Sequence, residues 1–265
     1  MSHNTLKMYE KEYYHNGIVQ HDAAIELGSL LPASPASVLD IGCGSGKVSE
    51  LFYSKMKPTK MIAIDKSNNM IDEAISLHKR TNIDYKTYDI EEMELKLKFD
   101  VIISNSSLQW FEDINKSLKV IRNHMSNNGL FFVQTPFKKD WCPAITKMIN
   151  DFFDHAYPDL KNEFNFPCRH LDNAEEYKKL FESSELFIKH SYNKEFTYHV
   201  DIHDFMKIFK SGAIKAYSNQ SNFKMELPTN FRNDLIKFAQ NYYDSNEMIK
   251  LTMPRIFFIL QRSKI

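Results

Sequence analysis

Five residues, Gly42-Cys43-Gly44-Ser45-Gly46, constrain this chain more than any other stretch. The protein has seven glycines in 265 residues, and three of them stand at these alternate positions. The residues before them, Val38-Leu39-Asp40-Ile41, are apolar and β-branched enough to read as a buried strand. KVSELFYSKM follows with helical spacing. A plain strand-to-helix turn needs one glycine. Three allow positive φ and let a ligand approach bare backbone, so the segment predicts a cradle at the carboxyl end of a strand.

Two phosphate-binding forms of such a cradle are excluded. Gly46-Lys47-Val48 lacks the hydroxyl that would hold magnesium in a Walker loop. The spacing is G-x-G-x-G rather than the G-x-G-x-x-G of a dinucleotide fingerprint, and an acid, Asp40, precedes it. A carboxylate repels a pyrophosphate and attracts an ammonium, so the cradle suits a ligand with a cationic end. A second buried-strand pattern over 60–65 closes on Asp65, about twenty residues past the glycines. A carboxylate there accepts both hydroxyls of a ribose. Asp40, Gly42, Gly44, Gly46 and Asp65 thus describe a nucleoside joined to an amino acid, which is S-adenosylmethionine.

Composition narrows the partners. Lysine plus arginine and aspartate plus glutamate balance at 34 each, so no net field favours nucleic acid or an anionic membrane. Cys43, Cys142 and Cys168 are odd in number and lack metal-ligand spacing, which suggests reduced thiols and no metal. No apolar run reaches the roughly 18 residues of a membrane span. The start, MSHNTLKMYEKEYYHN, is too polar for a signal peptide, so a soluble cytoplasmic protein is expected. The length suits one α/β domain, alone or with a cap.

Periodicity orders the remainder. A helix is predicted over 18–31, closed by Pro32 and Pro35, and another starts at Ser67 or Asn68. Strands are predicted over 83–88, 99–105 and 130–135. Between the last two lies a helix over 114–125, ended by Asn127-Asn128-Gly129. Residues 138–185 are aromatic-rich and broken by prolines, suggesting an irregular helical insertion. A strand over 186–200, helices over 202–216 and 229–243, and a strand over 249–261 complete the chain. Pro254 in the last strand suits a bulge or an edge. In open α/β sheets ligands lie beyond the carboxyl ends of the strands, so the stretch from Ser104 to Trp110 faces the site.

Five stretches, VLDIGCGSG, MIAIDKSNNMIDEA, YDIEEM, FDVIISNSSLQWFED and NNGLFFVQTP, occur in that order across residues 36–137. In this order they resemble the class I S-adenosylmethionine-dependent methyltransferases. The resemblance implies an α/β fold: a Rossmann-like, doubly wound, seven-stranded sheet with a helical cap inserted after strand five. It divides the chain into a lead-in closing the pocket (1–35), a cofactor-binding core (36–137), the cap (138–185) and a carboxy-terminal part with substrate-side helices (186–265). It implies that Lys66 and Met70 flank the adenine. Asp89 accepts from the adenine amino group, a role suited to a carboxylate, while the Ile90 backbone reads the ring. Asn105 and Ser106 are further cofactor contacts.

SNSSLQW is more particular. It lacks the Asn/Asp-Pro-Pro-aromatic signature of DNA adenine methyltransferases, which argues against nucleic acid as acceptor. It resembles instead a carboxyl O-methyltransferase group acting on malonyl-acyl-carrier protein, trans-aconitate or juvenile hormone acid. By that resemblance Trp110 and Gln20 position the acceptor, Tyr14 joins them in the pocket, and Lys210, Lys215 and Arg255 can meet an anionic group. A carboxylic acid is already ionised at neutral pH and needs no general base. No histidine falls in the five motifs, which leans toward such an acceptor; for an alcohol, His15, His21 or His170 would be the bases to test. The leading reading is methylation of a small or carrier-protein-bound carboxylic acid, most like malonyl-acyl-carrier protein. The alternatives are a free acid such as trans-aconitate, another small-molecule O-methyltransferase, or a non-catalytic S-adenosylmethionine-binding protein.

Overall fold

A computed structural model of the chain describes residues 17–79, 81–244 and 246–262. Tyr14 and His15, singled out above, lie outside the described residues.

The first half alternates strand and helix as its hydrophobic periods require: α1 (Ile18–Leu30), β1 (Ser37–Ile41), α2 (Lys47–Met56), β2 (Lys60–Asp65), α3 (Asn68–Leu77), β3 (Ile83–Thr87), β4 (Phe99–Asn105), α4 (Ile114–His124) and β5 (Met125–Pro136). There follow α5 (Pro143–Ala156), α6 (Pro158–Lys161), α7 (Ala174–Glu182), β6 (Phe187–Val200), α8 (Ile202–Ile208), α9 (Ile214–Tyr217), α10 (Phe231–Tyr242) and β7 (Ile249–Gln261). The strands form one seven-stranded sheet in the order β3-β2-β1-β4-β5-β7-β6. β1 to β5 are parallel and β7 runs antiparallel to β5. The chain therefore winds from β1 out to β3, then crosses back to β4 on the other side of β1. This is a Rossmann-like, doubly wound sheet, and the reversal between β1 and β4 opens a crevice at their carboxyl ends.

Covered on both faces, the central strands are apolar throughout rather than alternating. On one face Leu39, Ile62, Ile102, Phe131 and Phe258 pack with Leu118 and Ile121 of α4 and with Tyr177 and Phe181 of α7. Phe181 meets Phe258 edge to face, ring centroids 5.0 Å apart.

Two elements differ from expectation. Asn127-Asn128-Gly129 does not terminate α4, which ends at His124. Those residues lie within β5, where the register against β4 jumps from Phe99↔Met125 to Val101↔Leu130. The surplus residues form an outward bulge, and a Cβ at Gly129 would stand 2.7 Å from the Phe99 carbonyl oxygen. The helix predicted over 202–216 is broken by a π-helical turn at Phe209–Ala213. Pro254 lies outside the β5 ladder, which begins one residue later, at Arg255, where a backbone N–H is again present.

The chain divides into two compact units. Of the described residues, one comprises Gln20–Lys138, His170–Lys194 and 255–262; the other comprises 17–19, Lys139–Arg169 and Glu195–Pro254. The insertion expected over 138–185 is thus shared between them. Residues 170–185 belong with the sheet because α7 packs its rings on Phe258. In the second unit Phe153, Phe164, Phe223 and Phe231 form an aromatic cluster, with a bridge pairing Phe164 and Phe223. No described helix is long and apolar enough to cross a membrane.

Phe258→Ala, at a fully buried position on the β7 side of the sheet, is expected to cost about 3–5 kcal/mol, and Phe258→Leu about 1 kcal/mol. Urea unfolding midpoints of the two variants check this.

Candidate active site

The glycine turn is fixed from beneath by β2. The backbone N–H groups of Gly42 and Cys43 both donate to the Ile64 carbonyl, at 2.8 and 3.0 Å. Gly42 has φ +73°, and a Cβ there would fall 2.3 Å from the Ser107 Cβ, so this glycine lets the turn after β1 meet the turn after β4. Gly44 does something else. Its φ is +54°, yet a Cβ there would meet nothing within 4 Å, because its open side faces a cavity. Gly46 caps the start of α2 and is not part of the cavity wall.

Asp65, at the end of β2, ties the cradle together. One carboxylate oxygen accepts from Gly44 N and the other from Ser67 N, both at 2.9 Å. Ser67 also caps α3, accepting from Met70 N. Each Asp65 oxygen keeps a second lone pair, and Asp65 lines the cavity.

The cavity, of about 350 Å³, is open at the carboxyl ends of β1, β2, β3 and β4. Of the residues singled out from the sequence, it brings together Gly42, Gly44, Asp65, Lys66, Met70, Asp89, Ile90, Ser106 and Trp110. Asp89 Oδ1 accepts from Glu91 N at 2.9 Å, capping the turn Ile90–Glu92 while its other oxygen remains. Met70 and Trp110 are large apolar side chains left 42% and 49% exposed at this edge. Lys66 pairs with Glu112 at 2.9 Å, which holds its amine above the usual lysine range. Both partners are well exposed, so the pair adds little to stability. Glu91, Glu112, Tyr88 and Phe111 also line the wall; they lie in YDIEEM and WFED, where only their neighbours had been singled out. Four carboxylates against one amine make this wall suited to a cationic ligand.

Asp40 is placed differently. It is buried below the turn, 2% exposed, and accepts from Ser49 Oγ of α2 at 2.6 Å. Burial pushes its carboxyl up to about 6, against the pull of the Ser49 hydrogen bond, and nearby Asp65 adds to the rise. Asp40, Asn105, Gln20 and Arg255 do not line the cavity. The Asn105 side chain donates to the Gln20 carbonyl at 3.2 Å, fastening α1 to the end of β4, while the Gln20 side chain is exposed. Arg255 is 4% exposed on β7, opposite Pro136. Lys210 and Lys215 are exposed in the second unit.

Ser106 takes φ +56°, donating from its N to the Gln134 carbonyl and from its Oγ to Gln134 Oε1. Ser107 Oγ donates to the Ile41 carbonyl at 2.7 Å and stands 2.6 Å from Ser104 Oγ. The serines of SNSS thus shape the strand ends. His78, beside the turn, has Glu50 on Nδ1 at 2.8 Å and the Ser45 carbonyl on Nε2 at 3.1 Å.

A nucleoside carrying an amino acid fits these residues. Gly44 leaves open the volume that a side chain would fill, the Asp65 oxygens retain lone pairs for a diol, and the wall is anionic. This fold and this site define a class I S-adenosylmethionine-dependent methyltransferase. Residues 16–226 match the family model described as a methyltransferase domain, and the chain belongs to that family. Among curated proteins it is 26% identical over 240 residues to a malonyl-[acyl-carrier protein] O-methyltransferase of Acetivibrio thermocellus, covering 88% of this chain and 81% of that one. It is 25% identical to a second such enzyme, of Ilyobacter polytropus, over 96% of this chain and 94% of that one. A solved putative methyltransferase from Bacillus halodurans C-125 shares the fold, with TM-score 0.61, 13% identity, and coverage of 92% of this chain and 100% of that one. The cofactor is S-adenosylmethionine.

Two outcomes follow from this geometry. Gly44→Ala should fold, at a cost of about 1 kcal/mol for its φ, but bind S-adenosylmethionine at least about tenfold more weakly by calorimetry. Gly42→Ala should instead lower the melting temperature sharply, since its Cβ overlaps Ser107. For Asp40 the folded carboxyl titrates near 6 against 3.8 when unfolded, so the folded state is favoured at low pH. That contribution, about 3 kcal/mol for a rise of two pH units, is complete below about pH 4 and lost as pH rises through 6. Asp40→Asn should flatten the stability profile between pH 4 and 7, as read by denaturant titration at several pH values.

Proposed function

We propose that this methyltransferase acts on a carboxylate oxygen, converting a malonyl-acyl-carrier-protein-like acid to its methyl ester. The observation that carries this reading is Trp110. Its ring stands half-exposed on the cavity wall directly after β4, within the SNSSLQW stretch, where an acyl chain can cover it. Two near-full-length relatives carrying the malonyl-[acyl-carrier protein] O-methyltransferase name support the same reading.

The cofactor supplies an electrophilic methyl group on a sulfonium. The chain's own residues bind, orient and exclude water. Asp65 receives the ribose hydroxyls, Asp89 and the Ile90 backbone receive the adenine, and Lys66 and Met70 flank it. Gly42 and Gly44 give backbone contact, with Asp40 beneath as counter-charge; Ser106 bounds the methyl-bearing end. Trp110 shapes the acceptor side. An ionised acceptor carries no proton to be removed, so no residue here acts as general base. Acceleration comes from alignment and from partial removal of water around the acceptor oxygen.

The decisive experiment offers labelled S-adenosylmethionine with malonyl-acyl-carrier protein and with free acids including trans-aconitate. Base-labile label on the carrier protein is the expected result, and Trp110→Ala should lower kcat/KM for that acceptor by about 10–100-fold while the cofactor Kd changes less than about threefold. Label only on a free acid would transfer the reading to that acid. A base-stable product would overturn carboxylate methylation.

A further inference from the structure

The polar ends of β4 and β5 are not self-sufficient. Gln134 on β5 is fully buried, and its Nε2 has no hydrogen-bond partner, although its Oε1 accepts from Ser106 Oγ at 2.8 Å. Asn105 stands opposite it in the β4–β5 register, and the buried Asn105 Oδ1 is also without a partner. The Gln20 carbonyl fixes the orientation of Asn105, since only the amide nitrogen can donate to it. Two residues paired across adjacent strands thus each keep one buried polar atom without a partner. Buried amides in folded proteins are nearly always satisfied, and a departure calls for an explanation, a functional role or an ordered water among them.

Position along the sheet indicates which ligand. The carboxylates suited to the nucleoside follow β3 and β2, the glycine turn follows β1, and Ser106 follows β4. Gln134 is on the next strand in that direction, one hydrogen bond behind Ser106. Gln134 itself is not on the cavity wall but directly behind Ser106, which is, so a ligand meets its amide only by reaching past Ser106 on the β5 side.

We propose that Gln134 binds the acceptor, its Nε2 N–H donating to one oxygen of the acceptor carboxylate. This rests on the carboxylate reading above. The second carboxylate oxygen forms the new O–CH3 bond as the C–S bond breaks; the electron pair of that bond stays on sulfur, and no proton moves. A neutral amide suits the task. It fixes the carboxylate through one directional hydrogen bond, whereas a guanidinium would bind more strongly and draw off the charge that makes the oxygen nucleophilic. Ser106 holds the amide by its Oε1 and so serves as a positioning residue.

Gln134→Glu keeps the shape and the acceptor for Ser106 Oγ but replaces the donor with a charge. With malonyl-acyl-carrier protein its KM should rise by at least about 30-fold near pH 7.5, while S-adenosylmethionine affinity by calorimetry stays within about threefold. Lowering the pH to protonate the new carboxyl should restore part of the loss, which a purely structural role would not give. Gln134→Leu, uncharged, should raise KM by about tenfold and gain nothing at low pH. On the wild-type protein loaded with S-adenosylhomocysteine, the Gln134 side-chain amide resonance should shift when the acceptor acid is added. An unmoved resonance, or variants with unchanged acceptor KM while wild type makes the ester, would mean that Nε2 meets only water and would overturn this inference alone. Failure of the wild type to esterify any acid would instead overturn the carboxylate reading, and this assignment with it.

Discussion

One carboxylate holds the working end of this molecule in shape. Asp65 accepts from Gly44 on the turn after β1 and from Ser67 at the start of α3, so three segments meet on two oxygens. The bonds from Gly42 and Cys43 to the Ile64 carbonyl place the turn against β2 from below. Backbone amides at a strand end have no ladder partner, and satisfying them in this way leaves the open side of Gly44 for a ligand. The same carboxylate retains lone pairs facing the cavity, so the group that builds the cradle is available to read what enters it.

Charge is distributed around that cradle by depth. Asp40, under the turn, is buried and holds its proton to about pH 6, restrained by Ser49. The carboxylates of the wall, Asp65, Asp89, Glu91 and Glu112, are nearer to water, and one amine, Lys66, answers them. A cationic cofactor entering this environment gains attraction without the full penalty of a dry, unpaired site. On the β4–β5 side the chemistry changes from charge to amide: Asn105 and Gln134, neutral polar residues, stand opposite each other across the two strands.

Much of this was legible in the sequence because it depends on local rules. The glycine spacing, the acids closing the first two strands and the apolar runs between helical stretches all act over a few residues, and Gly42, Gly44, Asp65, Asp89, Ile90 and Ser106 appear where their motifs put them. The failures have a common cause. Asn127-Asn128-Gly129 looks like a helix stop, but the neighbouring strand draws it into a bulge. Residues 170–185 look like part of an insertion, but Tyr177 and Phe181 are claimed by Phe258 on a strand eighty residues later in the chain. That Asp40 and Arg255 are buried, and stand off the cavity wall, was equally beyond local rules.

By itself the sequence determined the alternation of elements, the cradle and the kind of cofactor it holds, since period, glycine placement and carboxylate spacing are written along the chain. Only the tertiary structure decided which polar groups share a site. Gln134 is an unremarkable residue in a hydrophobic strand until β4 is laid beside β5; then its amide lies next to Asn105 and behind Ser106, with one donor unmet. Hydrogen bonding across strands depends on register, and register is a property of the assembled sheet.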